Sequence, residues 1–171
     1  MSLATDLLEQ ANHLARRERK RPKQASLRRA ISAAYYSLFH LLLKEASQQM
    51  VSDANLRCLV SRAFSHGDMA SAAKSFASGG SLPAHITAAF PGSIPPEVSQ
   101  IARAFVDLQQ ARHDADYNLL KSFTRQEAID HMVTAQRAFS AFDTIKARPT
   151  DKVALELFLS ALLLWKQWGK G

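Results

Sequence analysis

A single cysteine, Cys58, is the only thiol in this 171-residue chain. One thiol excludes an internal disulfide framework and any cysteine-held metal centre, and it fits a reducing compartment. In its apolar surroundings Cys58 reads as a packed helix residue. Glycine and proline are also scarce, six of each, and they gather in a few places, so long stretches of backbone run unbroken. Acidic side chains are outnumbered, 15 Asp and Glu against 22 Lys and Arg, and the resulting net charge of +7 favours an anionic partner such as nucleic acid, a nucleotide or an acidic protein. The most apolar stretch, 157–165, is interrupted by Ser160 and falls far short of the roughly 20 residues needed to cross a bilayer. The start of the chain mixes Asp6, Glu9 and His13 among leucines and shows none of the ordered blocks of a signal peptide, so a cytoplasmic protein with no membrane partner is expected. Glycine-rich phosphate loops, a serine nucleophile elbow, Cys/His nucleophile signatures and paired histidines are all missing, so neither a cofactor nor a metal is expected.

What remains is helical periodicity along almost the whole sequence, which predicts an all-α fold. A first helix over 3–20 carries the stripe Leu7, Ala11, Leu14 and Ala15 and stops before Pro22. A second begins near Ser26 and runs to about residue 48. Two short helices, 55–64 and 67–76, meet at a capping turn at Ser65-His66. The density of breakers over 78–96 predicts a loop with one helical turn at 84–90. Pro95-Pro96 suits the opening of a long helix over 97–119 anchored by Ile101, Phe105, Leu108 and Ala115. Thr124-Arg125-Gln126-Glu127 is a capping-box sequence that starts a helix to about residue 147. Pro149 ends it, and a last helix to Trp168 has two apolar stripes: Val153, Leu157, Ala161, Leu164 and Trp168, and Leu155, Phe158, Leu162 and Trp165. A helix apolar on most of its girth must be covered, so 149–171 is expected to pack on a bundle formed by 1–148 or across a dimer interface.

Two polar constellations interrupt the apolar pattern. At roughly 100° per residue, Arg29, Ser32, Tyr36 and His40 share one face of the second helix, while Ile31, Ala34, Leu38 and Leu42 line a neighbouring one. At the end of the long helix, Arg112 and Asp116, and His113 and Tyr117, are paired at i, i+4. One reading is a surface ion pair with a half-buried tyrosine. The other is an arginine held by Asp116 to face a phosphate, with His113 or Tyr117 as proton donor or acceptor. The basic run Arg16, Arg17, Arg19, Lys20, Arg21, Lys23, Arg28 and Arg29, broken only by Glu18, reads either as a solvated helix end or as a surface that tracks phosphates.

Together, Leu7-Leu8-Glu9-Gln10-Ala11, the segment from Arg29 to His40, Arg112 with Ala115-Asp116-Tyr117, and Phe123-Thr124-Arg125-Gln126-Glu127-Ala128 resemble the HEPN superfamily, the all-α "higher eukaryotes and prokaryotes nucleotide-binding" domains. The last two segments look like the Arg-x-x-Ala-Asp-Tyr variant of a branch of small bacterial proteins. The resemblance covers roughly 3–147. It implies a HEPN-like bundle with an up-and-down core of four to five helices, plus short helices and a C-terminal helix. It further implies a homodimer and an RNA- or nucleotide-binding role in a toxin–antitoxin, defence or stress system. The site it implies takes Arg112, Tyr117 and His40 as catalytic residues and Arg29, Tyr36, His113 and Asp116 as binding residues. Many HEPN ribonucleases carry a histidine after four to six residues that follow the arginine, where this chain has Tyr117, Asn118 and Leu119. A phenol with an ordinary pKa near 10 is a poor general base at neutral pH, so metal-independent RNA cleavage is left open. Two further readings stand beside it: a non-catalytic homodimeric scaffold whose polar residues form a structural network, and a partner nucleotidyltransferase that modifies a tyrosine such as Tyr117.

Overall fold

A computed structural model describes residues 2–78 and 82–169; Gly79, Gly80 and Ser81 of the expected loop lie outside the described residues. Among those described there are eight α-helices and no strand: α1 (Leu3–Arg16), α2 (Gln24–Met50), α3 (Ala54–Ser61), α4 (His66–Ala77), α5 (Ala84–Ala89), α6 (Pro96–Tyr117), α7 (Arg125–Lys146) and α8 (Lys152–Trp168), the last entered through a 3-10 turn at Pro149–Asp151. The all-α architecture follows from the uninterrupted apolar periodicity and from the caps. Ser2 accepts from the Thr5 amide at α1, Asp53 from the Asn55 and Leu56 amides at α3, and Ser65 from the Asp68 amide at α4.

The chain forms two compact units. The first comprises the residues up to Leu41 plus Ala104–Phe139; the second comprises Leu42–Arg103 plus the residues from Ser140 onward. In the first unit Ala15, Leu27, Ala30, Ile31, Ala111, Ala115, Phe123 and Ala128 form one buried cluster. The alanines matter because side chains this small let helix backbones approach closely. On α2, Ile31, Ala34 and Leu38 are wholly buried, as the apolar face predicts.

In the second unit α8 packs on α4, where Phe76 meets Phe158 edge-on at 5.2 Å and Trp165 at 6.2 Å. The side of α8 that is buried holds Ala154, Leu155, Phe158, Leu159, Ala161 and Leu162, whereas Val153, expected in a covered stripe, is 61% exposed. Cys58 corrects the sequence reading as well. It is exposed, because α3 buries none of its residues.

Candidate functional site

Within the first unit, α2 and α6 bring the two polar constellations together. Arg112, on the last turns of α6, sends Nη2 across to donate to the Tyr36 hydroxyl of α2 at 2.9 Å, closing a gap of 76 positions in the chain. Its Nε lies 2.8 Å from Oδ2 of Asp116, one turn further on, as an ion pair without hydrogen-bond alignment. Asp116 uses its other oxygen, Oδ1, to accept from the Ser32 hydroxyl at 2.6 Å, the short distance typical of a hydroxyl donating to a carboxylate. The guanidinium also stands over two rings, 5.5 Å from the centre of Tyr36 and 5.4 Å from that of Tyr117. Arg112 and Asp116 keep only 19% and 22% of their side-chain surface in solvent. Burial works against the charge on Arg112, but Tyr36, Asp116 and Tyr117 outweigh it, so the guanidinium is held charged more firmly than a free one.

Beneath this chain of contacts lies Tyr35, wholly buried and packed edge-on to Tyr36 at 5.2 Å and against Phe105 at 5.6 Å. Burial pushes its phenol well above the ordinary range, the Arg112 charge offsetting only part of the effect, so Tyr35 stays protonated and acts as packing.

The other expected residues fall around this centre. His40 is half-buried, its ring 6.4 Å from that of Tyr36 and 5.3 Å from that of Phe39, and burial lowers its pKa, which keeps it neutral at pH 7. His113 is exposed and stacks obliquely on Tyr117 at 5.2 Å, and Tyr117 itself is 62% exposed. Arg29 is exposed and lines a groove of about 550 Å³ between α1 and α2, together with Arg17, Gln10, Leu14, Ser32 and Tyr36. Tyr36 and Ser32 therefore touch the Arg112–Asp116 pair on one side and the groove on the other.

Two contributors were not singled out as site residues from the sequence. Ser32 lay on the predicted polar face but carried no role, and its bond to Asp116 becomes visible only when α2 and α6 meet. Arg28, read as part of a basic run, is a structural clamp. Its guanidinium donates to the carbonyls of Ala115 at 2.7 Å, Asn118 at 2.9 Å and Lys121 at 2.5 Å, and stands 5.4 Å above the Phe123 ring. A cation on the open carbonyls at a helix C-terminus satisfies groups that have no partner within the helix, and here it fixes the turn that follows Asp116 and Tyr117.

The arrangement presents guanidinium donors of the kind an anion accepts from. The cations facing the groove are arginines, which do not give up protons at neutral pH, and burial makes the imidazole of His40 a weaker base than a free one. Among the described residues no group of three or more His, Cys, Asp or Glu side chains is placed to hold a metal ion. Comparison of the chain with protein-family models, with curated proteins and with solved structures finds no match.

Proposed function

We propose that the chain is a HEPN-like module that binds RNA or a nucleotide at the Arg112 centre and the adjoining groove, serving a toxin–antitoxin, defence or stress system as a cytoplasmic homodimer. The observation that carries this reading is the setting of Arg112, a cation fixed by Asp116 and Tyr36 beside a groove whose wall adds Arg17 and Arg29. Preorganised guanidinium groups are the side chains best suited to phosphate oxygens, because their donors are planar, always charged and weakly hydrated. The net charge of +7 draws polyanions to the same molecule. Binding is favoured over cleavage because Tyr117 stands where the family's ribonucleases have a histidine, and burial makes His40 a weaker base than a free imidazole. The exposed apolar side chains of Leu119 and Leu120, beside Tyr117, support a self-associating surface, and the exposure of Tyr117 leaves it accessible to a nucleotidyltransferase partner.

The test is an RNA binding and cleavage assay on wild type beside Arg112→Ala. The reading requires RNA affinity that drops at least several-fold in the variant; equal affinity in the two proteins rejects it. A second reading, a non-catalytic scaffold, draws on the same contacts: Arg112 and Asp116 are already mutually engaged, so the network can serve helix register alone. That alternative requires protein that neither binds nor cleaves RNA while Asp116→Ala lowers thermal stability.

A further inference from the structure

We infer that the groove between α1 and α2 houses one nucleotide of a single-stranded RNA and that the α1–α2 linker carries the phosphates on either side of it. This rests on the nucleotide-binding reading above and adds a location and a ligand form to it. The groove has two kinds of wall. Leu7, Leu14, Ala25 and Ala33 make it apolar, with the Tyr36 ring at one end, while the guanidinium groups of Arg17 and Arg29 stand on it without donating a hydrogen bond among the described residues. An apolar slot with an aromatic end and two exposed guanidinium groups suits a base with its attached phosphate, and about 550 Å³ is the size of a small-molecule site. A duplex keeps its bases stacked inside and has none to offer such a slot; an unpaired strand has.

The linker supplies the second observation. Residues 17–23 include Arg17, Arg19, Lys20, Arg21 and Lys23, all exposed, with one carboxylate among them. That carboxylate, Glu18, is turned inward: Oε1 accepts from the Ser26 hydroxyl at 2.8 Å and Oε2 from the Lys23 amide at 3.5 Å. The linker backbone is gripped from its other side by Arg125 of α7, which donates to the carbonyls of Glu18 and Arg19. The one negative charge in the run is thus used to shape the turn, and five cations are presented on a backbone already held in place. A solvated linker has no need of two such anchors. For a bound strand they remove most of the ordering cost that a loose basic tail carries. Arg17 belongs to both the linker and the groove, so the phosphate path leads into the slot.

The experiment measures the affinity of the full chain for a short single-stranded RNA, for a duplex of the same sequence and for adenosine monophosphate, at several salt concentrations. Two variants join the wild type: Arg19→Ala/Lys20→Ala/Arg21→Ala/Lys23→Ala in the linker, and Ala25→Trp, which fills the groove from an exposed position. All five side chains are exposed and donate no hydrogen bond among the described residues, so both variants fold. The single strand binds about 10-fold or more tighter than either the duplex or the mononucleotide, and Ala25→Trp lowers its affinity by at least that factor. The linker variant flattens the plot of log affinity against log salt by about 0.7 per lost phosphate contact, hence by up to about 3. Equal binding of strand and duplex, a salt slope unchanged by the linker variant, or indifference to Ala25→Trp overturns the inference. If RNA still binds in an Arg112-dependent way under those outcomes, only this inference falls; if no nucleotide or RNA binds at all, the functional reading falls with it.

Discussion

Asp116 is the residue on which the centre turns, because it faces both Arg112 and Ser32. Asp116→Ala removes the carboxylate from a largely buried guanidinium and leaves it the bond to the Tyr36 hydroxyl, and the expected loss of stability is about 1–3 kcal/mol, read from denaturant unfolding. Asp116→Asn keeps the acceptor for Ser32 but loses the charge, and falls between the two. The pairing at i, i+4 was legible in the sequence, since helix geometry alone dictates it. Only the family resemblance placed Arg112 and Tyr36 in one site; their partnership follows from no local rule, since none says which helices will meet. The same applies to the neighbours Arg28 and Arg29. Adjacent positions point about 100° apart around a helix, and only the packed unit shows that Arg28 is the clamp and Arg29 the exposed one.

Burial lowers the pKa of both His40 and His131 below their ordinary value of about 6.5. For His131, Glu127, Asp130 and Asp107 push back towards the charged form while Lys121 adds to the lowering. Below pH 6.5 the unfolded chain takes up protons at these positions sooner than the folded one, so stability falls as pH drops from about 6.5. Melting temperatures between pH 8 and pH 5.5 check this, and His40→Gln is expected to make the decline shallower.

Helix boundaries show where local sequence is sufficient and where it is not. The capping box at the start of α7 is present as its sequence requires: the Thr124 amide donates to Glu127 Oε2 at 2.7 Å and the Glu127 amide to Thr124 Oγ1 at 3.2 Å. Thr124→Ala therefore costs about 1 kcal/mol of unfolding free energy, measurable by thermal or denaturant melts. Elsewhere tertiary partners moved the ends. α1 stops at Arg16 instead of running to 20, because Glu18 turns to the start of α2. α2 begins at Gln24, ahead of the Ser26 expected as its cap, and the Gln24 side chain pairs with both the N–H and the carbonyl of Phe123 at 2.9 and 2.8 Å. The sequence shows that a helix follows the basic linker; it does not show that its first residue will be claimed by a loop 99 positions away. In α3 only Cys58 is expected to pack, and the helix leaves it exposed together with Leu56 at 52% and Leu59 at 60%.

For the whole molecule, charge is the quantity that both stability and binding share. The carboxyls of Glu18, Glu97, Asp114 and Glu127 all sit below the ordinary carboxylate range, held there chiefly by Ser26, Arg148, Lys121 and the Thr124 backbone respectively. Their contribution is complete above the unfolded values, 4.5 for the glutamates and 3.8 for Asp114, and is lost as pH falls through the lower folded ones, so a second, steeper decline is expected in the acid range. The all-α class was legible from periodicity because nearly every stretch obeys one period. The division into two compact units was not, since its boundaries fall inside α2, α6 and α7, where composition does not change.

That Arg112 faces an anion from its seat between Asp116 and the two tyrosines is the proposal on which binding depends. Its most direct test is the side-chain N–H resonance of Arg112 in an NMR titration with a short single-stranded RNA, assigned through its loss in Arg112→Lys. This signal is expected to move and to saturate together with binding. RNA that binds while the Arg112 signal stays where it was contradicts it.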